Sequence, residues 1–371
     1  MNASGVLQIA GRSGHLRRRA AAYLPQSGDV RVDERVIRQF GLRTGDDVTG
    51  ETRNGKGGPA LERVATINGR PAAELQDRPE FTTLAAIHPD VPLRLTSDLG
   101  PGNPATATTR LIDLLAPIGK GQRGLIVAPA KGGKTMVLQA IAQGVHANYP
   151  EASLFILLVD ERPEEVFEME EAGVGEVVAS SFDNPAAQHV AVAELLLERA
   201  RRQVELGRDA VLIVDSLTRL ARAYNAVERG TGRTLSGGLD AQALEKPKRF
   251  FGSARQVSPA QGGGSLTVIA TALVETGSKM DQLIFEEFKG TGNSELVLSR
   301  DLAERRVFPA IDLLASGTRK EELLLSEAGL AASRVLRQRI ARMTPLAAMQ
   351  DLLGELKRYP SNDALIAALA P

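Results

Sequence analysis

Ala128-Pro129-Ala130-Lys131-Gly132-Gly133-Lys134-Thr135 is the stretch from which the rest of the chain is read. It has the make-up of a phosphate-binding loop, with Ala128 where the usual pattern has glycine. The apolar run 124–128 leads into it as a strand, and a helical stretch from about 136 to 146 leads out. Backbone N–H groups of such a loop face phosphates, and the helix adds its positive N-terminal end. Lys134 is placed to reach the β- and γ-phosphates of ATP, and Thr135 to hold Mg²⁺. A short Lys/Gly/Thr match arises by chance in loops; the strand–loop–helix context sets this one apart.

Outward from the loop, apolar strands at 154–159, 176–179, 210–214 and 265–270 alternate with helical stretches at about 187–206, 216–228 and 238–255. That rhythm predicts a parallel sheet covered on both faces, with its ligand at the carboxyl ends of the strands. From 326 onward three helices are expected, at 326–342, 345–357 and 361–369. Residues 71–118 are rich in proline and read as a connector carrying one helix at 109–115. Residues 5–70 have short apolar stretches broken by turn signals such as Thr44-Gly45-Asp46 and Asn68-Gly69, the pattern of a small β-barrel. The organisation expected is therefore a barrel over 1–70, a connector over 71–118 and an α/β domain with C-terminal helices over 119–371.

The 371 residues suffice for two or three domains with cores of their own. There is no cysteine, which excludes disulfides and cysteine-based zinc sites. No apolar run approaches the ~20 residues of a membrane span, and Met1-Asn-Ala-Ser-Gly5 has no signal-peptide pattern, so a soluble, cytoplasmic protein without membrane partners is expected. Lys+Arg and Asp+Glu both number 45, which argues against binding nucleic acid through bulk charge while leaving local gripping open.

Two apolar strands end in acids. In Val211-Leu-Ile-Val-Asp215 the acid is placed to orient the Mg²⁺ shell, or else simply caps the next helix before Ser216. In Leu157-Leu-Val-Asp-Glu-Arg162, Glu161 is placed to polarise an attacking water, or else belongs with Asp160 to an acidic helix start before Pro163. Arg319, in Ser316-Gly-Thr-Arg-Lys-Glu321, is of the type that cancels transition-state charge, although nothing in the sequence alone prefers it to other arginines. Phe308 is either core or a stacking surface for adenine.

Two glycine-bearing loops, 230–238 around Arg233 and 275–281 around Lys279, combine hydroxyls with one cation each, which suits contact with RNA phosphates or 2′-hydroxyls. Either is also an ordinary surface loop when taken singly. In the barrel, Gly11-Arg12-Ser13-Gly14-His15-Leu16-Arg17 offers cations but only His15 as a flat ring, and a run such as 17–19 is often just a solvated face.

These motifs together resemble the bacterial transcription termination factor Rho family, ring-shaped RNA-dependent ATPases and helicases. The resemblance begins near Val6 and is dense from Gly119 on. Its blocks are Gly119-Lys-Gly-Gln-Arg-Gly-Leu-Ile-Val-Ala-Pro129, Asp160-Glu-Arg-Pro-Glu-Glu-Val166, Asp215-Ser-Leu-Thr-Arg-Leu-Ala-Arg-Ala-Tyr-Asn225, Lys246-Pro-Lys-Arg-Phe-Phe-Gly252, Thr276-Gly-Ser-Lys-Met-Asp281, Glu286-Glu-Phe-Lys-Gly-Thr-Gly-Asn293 and Arg306-Val-Phe-Pro-Ala-Ile-Asp312.

The resemblance implies a RecA-like core behind an OB-like, cold-shock-type barrel, assembled as a homo-hexamer with ATP between subunits. It implies Lys131, Gly132, Gly133, Lys134 and Thr135 around phosphate, Asp215 and Thr135 at Mg²⁺, and Glu161 at water. Arg162 and Arg219 would sense nucleotide, and Arg319 would act in trans with Arg306 nearby. Met136 and Phe308 would sandwich adenine, and Gly119, Lys120, Gly121, Gln122, Arg123 and Gly124 would line the pocket. RNA contacts would come from Arg12 to Arg17, from Asp29, Val30 and Arg31, and from Arg233 and Lys279 at the pore; RNA polymerase is a further candidate partner.

The sequence departs from that family in three places. The small helical subdomain that usually precedes the barrel is expected to be missing. Ser13-Gly14-His15 stands where an aromatic–Gly–aromatic pair is usual, and Arg31 where another aromatic stacks; each lost ring would cost ~1–3 kcal/mol per base. Arg233 replaces a lysine. The functional expectation is an ATP-driven 5′–3′ RNA translocase that terminates transcription. The alternative is a Rho-like paralogue that recruits RNA poorly and modulates an ordinary ring; a rotary ATP synthase-type subunit is a third and remoter reading.

Overall fold

A computed structural model describes residues 2–55, 58–75, 77–97, 104–228, 238–240 and 243–369. The N-terminal strands are β1 (Asn2–Ala10), β2 (Ser13–Arg17), β3 (Val30–Val32), β4 (Asp47–Gly55), β5 (Gly58–Ile67) and β6 (Arg70–Pro71). They run in the order β3-β2-β1-β4-β5-β6, and β3 meets β5 at Arg31 and Ala60, which closes the barrel. Period-two alternation sends Gly14 and Leu16 inward and Ser13, His15 and Arg17 outward. Leu7, Leu16, Val32, Val48, Leu61 and Ile67 fill the interior, with Val36 of the short helix α1 (Glu34–Gln39) against them.

The second sheet comprises β7 (Ala86–Ile87), β8 (Arg123–Pro129), β9 (Ser153–Glu161), β10 (Glu176–Ser181), β11 (Asp209–Asp215), β12 (Arg255–Val257), β13 (Ser265–Val274), β14 (Ser294–Val297) and β15 (Gly317–Thr318). Its order is β10-β9-β11-β13-β8-β14-β15, parallel from β10 to β14. The central parallel strands β8, β9, β11 and β13 are near-continuous apolar runs because both faces are covered.

The helices are α2 (Pro104–Leu115), α3 (Lys134–Asn148), α4 (Pro163–Glu171), α5 (Ala186–Val204), α6 (Leu217–Val227), α7 (Glu245–Phe251), α8 (Lys279–Thr291), α9 (Arg300–Glu304), α10 (Glu327–Ile340), α11 (Pro345–Arg358) and α12 (Asn362–Leu369). One face of the sheet packs on Leu196, Leu220, Phe251 and Phe288 from α5 to α8. The other packs on Leu111, Leu138, Leu336, Leu352 and Leu365 from α2, α3 and the C-terminal helices. The stretch read as a connector is thus partly core: α2 is buried, and β7 pairs with β12.

The helix expected over 238–255 is shorter, because the chain after Gly252 is captured as strand β12, antiparallel to β13. Residues 241–242 of that expectation and the Arg233 loop lie outside the described residues.

Barrel and core meet along a buried charged seam. Arg78 donates to both oxygens of Asp46, whose side chain is fully buried. Glu205, beyond the end of α5, accepts from Arg43 at 2.9 Å and from the Phe81 N–H at 2.9 Å, with Arg202 at 3.1 Å. Beside it Gly45 (φ +92°) presses on α5: a Cβ there would lie 2.4 Å from the Glu198 carbonyl carbon.

Candidate functional site

The phosphate loop leaves β8 at its carboxyl end, and α3 starts at Lys134. Lys131 and Gly133 take positive φ (+62° and +85°), which turns the loop tightly before the helix. Lys134 Nζ lies 2.7 Å from Glu161 Oε1, at the end of β9, and 2.7 Å from Asp215 Oδ1, at the end of β11. Both carboxylates are almost fully buried, and the Thr271 hydroxyl donates to Asp215 Oδ1 at 2.8 Å. Glu161 Oε2 accepts no hydrogen bond, and Arg219 stands 3.5 Å from it. Arg219 is also 3.9 Å from Asp160.

Burial pushes the Lys134 ammonium down, but Asp215 and Glu161 outweigh it and hold the group above the ordinary lysine range. Burial, helped by Glu161, holds the Asp215 carboxyl above the usual range against the pull of Lys134. Glu165, four residues beyond Glu161, is raised by burial and then by Glu161. The cluster is a cation clamped between two buried acids at the start of the helix that follows the loop.

The oxygen donors present fit Mg²⁺, which takes one or two carboxylates plus phosphates and keeps several waters. Among the described residues no group of three or more His, Asp or Glu converges as a metal cage.

Phe308 lies over the loop: a Cβ on Gly133 would be 3.2 Å from its Cε1. Met136, 42% exposed, stands in the first turn of α3. Arg306 is exposed at a positive-φ turn, and Arg162 is exposed ahead of α4.

Arg319 is not at this site. It follows β15, and its N–H donates to the Asn293 carbonyl beside the start of β14. Arg123, at the start of β8, is lowered by burial and then by Arg319. Six residue steps, about 20 Å, separate Arg123 from the loop at Pro129.

Residues 119–124, expected to line the nucleotide pocket, occupy the amino end of the strand, the end opposite this chain's own phosphate loop. Their polar groups are spent there. The Gly119 N–H donates to Gln122 Oε1, the Gly121 N–H donates to the Thr267 hydroxyl, Lys120 pairs with Asp209 at 2.6 Å, and Gln122 donates to Asn293. Gly124 sits within β8.

On the barrel, His15 is flanked by Gln8 and Arg31 in register, and Arg12, Ser13, His15 and Arg31 reach the surface. Leu16, among the expected contact residues, packs its side chain into the barrel core at 1% exposure. Asp29 is buried, accepts from the Gln26 N–H and holds Arg17 at 2.6 Å, while Arg17 also donates to Gln8. On the outward face, the Arg17 guanidinium is thus held between Gln8 and Asp29. Val30 is half-buried against the barrel core. Lys279 is exposed at the start of α8. Sequence reading missed Thr271, whose only signal was a hydroxyl closing an apolar strand, and Arg222, described below.

Fold and site together define a phosphate-loop nucleotide-binding protein; residues 108–318 match the ATP synthase alpha/beta family, nucleotide-binding domain, and residues 3–73 match the Rho termination factor, RNA-binding domain. The chain is 54% identical over 362 residues to transcription termination factor Rho of Gemmatimonas aurantiaca, covering 96% of this chain and 48% of that protein. It is 51% identical to that of Streptomyces lividans, covering 97% and 50%, and 51% identical to that of Pseudomonas fluorescens biotype C, covering 98% and 86%. It thus spans about half the length of the first two relatives and most of the third. A solved structure described as a prototypical ATPase from the type III secretion system of pathogenic bacteria superposes with a TM-score of 0.60 at 26% identity, covering 77% of this chain and 78% of that one. The chain belongs to the transcription termination factor Rho family, with a RecA-like core behind an OB-like barrel. Among the described residues no helix is long and apolar enough to cross a membrane.

Proposed function

We propose that this chain hydrolyses ATP to move along single-stranded RNA in the 5′–3′ direction and so releases nascent transcripts from RNA polymerase. One observation carries the reading: Lys134 bridged to Glu161 and Asp215 under a phosphate loop, in a chain that also bears the RNA-binding barrel.

When phosphate occupies the loop, Lys131 and Lys134 bind it, and Lys134 gives up its hold on Glu161. Glu161 then accepts a proton from the attacking water, its second oxygen steadied by Arg219. Thr135 and Asp215 are the residues that would hold Mg²⁺, which screens the phosphate charge when bound. Met136 and Phe308 flank adenine; Arg162 and Arg306 stand at the rim.

The position of Arg319 at the far edge of the sheet supports action on a neighbour's nucleotide. The 119–124 turn, held in shape by the internal bonds given above, with Arg123 near Arg319, would line that same neighbour's nucleotide. A head-to-tail ring, a homo-hexamer, closes such contacts. RNA enters over Arg12, Ser13, His15 and Arg31 and is pulled by Lys279 and Arg233. The setting is cytoplasmic. His15 and Arg31 in place of aromatics motivate the alternative of a modulatory relative, but the complete acid–lysine cluster favours a working motor.

ATP turnover of the purified chain, measured with and without poly(C), tests the reading. Strong stimulation by RNA is expected, with turnover abolished in Lys134→Ala while the melting profile is retained. Normal turnover in that variant, or a wild-type chain indifferent to RNA, defeats it.

A further inference from the structure

We propose that Arg222 is a positioning residue that ties the Lys279 loop to helix α6, so that the nucleotide site and the RNA loop move as one body. The proposal rests on the reading above and adds to it the residue through which the two ends are joined.

Asp281, in the first turn of α8, is 2% exposed. Its carboxylate receives Arg222 Nε at 2.7 Å and Nη2 at 2.6 Å, and the Thr276 hydroxyl at 2.6 Å. The Thr276 hydroxyl also accepts the Ser278 N–H, so the whole turn from Thr276 to Asp281, with Lys279 inside it, hangs on this one carboxylate. A two-pronged guanidinium–carboxylate pair fixes orientation as well as distance, which a lysine does not reproduce.

The other end of the tie is the nucleotide site. α6 starts immediately after Asp215, capped by Ser216, and β11 lies between β9 and β13. The helix therefore sits astride the tips of both neighbours. One turn carries Arg219 toward Glu161 and Asp160 on the β9 side. Three residues later, about 4.5 Å along the axis, Arg222 reaches the loop that follows β13. Just ahead of Arg219, the Thr218 hydroxyl accepts the Leu273 N–H at 2.9 Å, pinning the helix to β13 itself. A displacement of the β11 tip on binding or releasing phosphate thus carries Arg222 with it, and with Arg222 the carboxylate that holds the loop.

The test is performed on the full chain, with a fluorescent ATP analogue for affinity and turnover read with and without poly(C). In Arg222→Gln, analogue affinity and RNA-free turnover are expected within about twofold of wild type, while RNA-stimulated turnover falls at least about tenfold. Arg222→Lys recovers part of the stimulation, having charge without the fork. Stimulation in Arg222→Gln within about twofold of wild type overturns the proposal, as does an equal loss of basal and stimulated turnover, the mark of a merely structural residue. If Arg222→Gln does not fold, Thr276→Val, which removes one bond and keeps the shape, decides on the same ratio: a fall supports the tie and an unchanged ratio overturns it. A wild-type chain unmoved by RNA sinks the translocase reading itself, a result distinct from any of these.

Discussion

His189 is 6% exposed, with Nδ1 2.7 Å from the Ser180 hydroxyl, on the helix that follows the tip of β10. Burial holds its pKa below the ordinary 6.5, with Asp160 pulling upward and Arg219 downward. A base whose folded pKa is depressed contributes stability that is whole above 6.5 and lost as pH falls through the folded value. Wild type is therefore expected to lose melting temperature between pH 7.5 and 5 faster than His189→Asn; parallel curves would show that the imidazole does not titrate against the fold. Lys134, Glu161 and Asp215 were legible without coordinates because each closes an apolar strand or opens a helix, so sequence position alone put them at one sheet edge. Thr271 and Arg222 were not, since their partners Asp215 and Asp281 lie 56 and 59 residues away and no local pattern announces the pairing.

Among the elements, the turn Thr44-Gly45-Asp46 shows how far local signals reach. Its composition announced a turn; it did not announce that the turn abuts the backbone of α5. With φ at +92° and no room for a Cβ, Gly45→Ala combines backbone strain with a main-chain clash. It is expected to cost on the order of 2 kcal/mol or more, read as a lower urea midpoint. A midpoint unchanged from wild type would show that the barrel shifts freely off α5. The short β14 and the helix α8 escaped prediction for a related reason. The 294–297 strand has only two apolar residues, Leu296 and Val297, and is held by β8 rather than by its own propensity. β8, by contrast, is legible from its unbroken apolar run, while the sheet order is needed to place its amino end beside Arg319 and its carboxyl end at the phosphate loop.

For the molecule as a whole, that division makes the proposed ring testable by mixing. Chains with Lys134→Ala and chains with Arg319→Ala are each expected to be inactive. Mixed in equal amounts and reassembled, they should regain turnover, since about one interface in four joins an intact loop to an intact arginine by random assortment. A mixture as inactive as its parts would place Arg319 outside the neighbour's chemistry. The seam at Arg78 matters at the same scale. Its guanidinium belongs to neither module but grips acids of both, and Asp46 and Glu205 are shielded from solvent, so dissolved ions screen the joint little. A filament anchored at the barrel and drawn in further along would load this joint in shear. In the proposed motor, a rivet of this kind would pass such tension to the frame, so that a stroke would move the strand instead of stretching the machine.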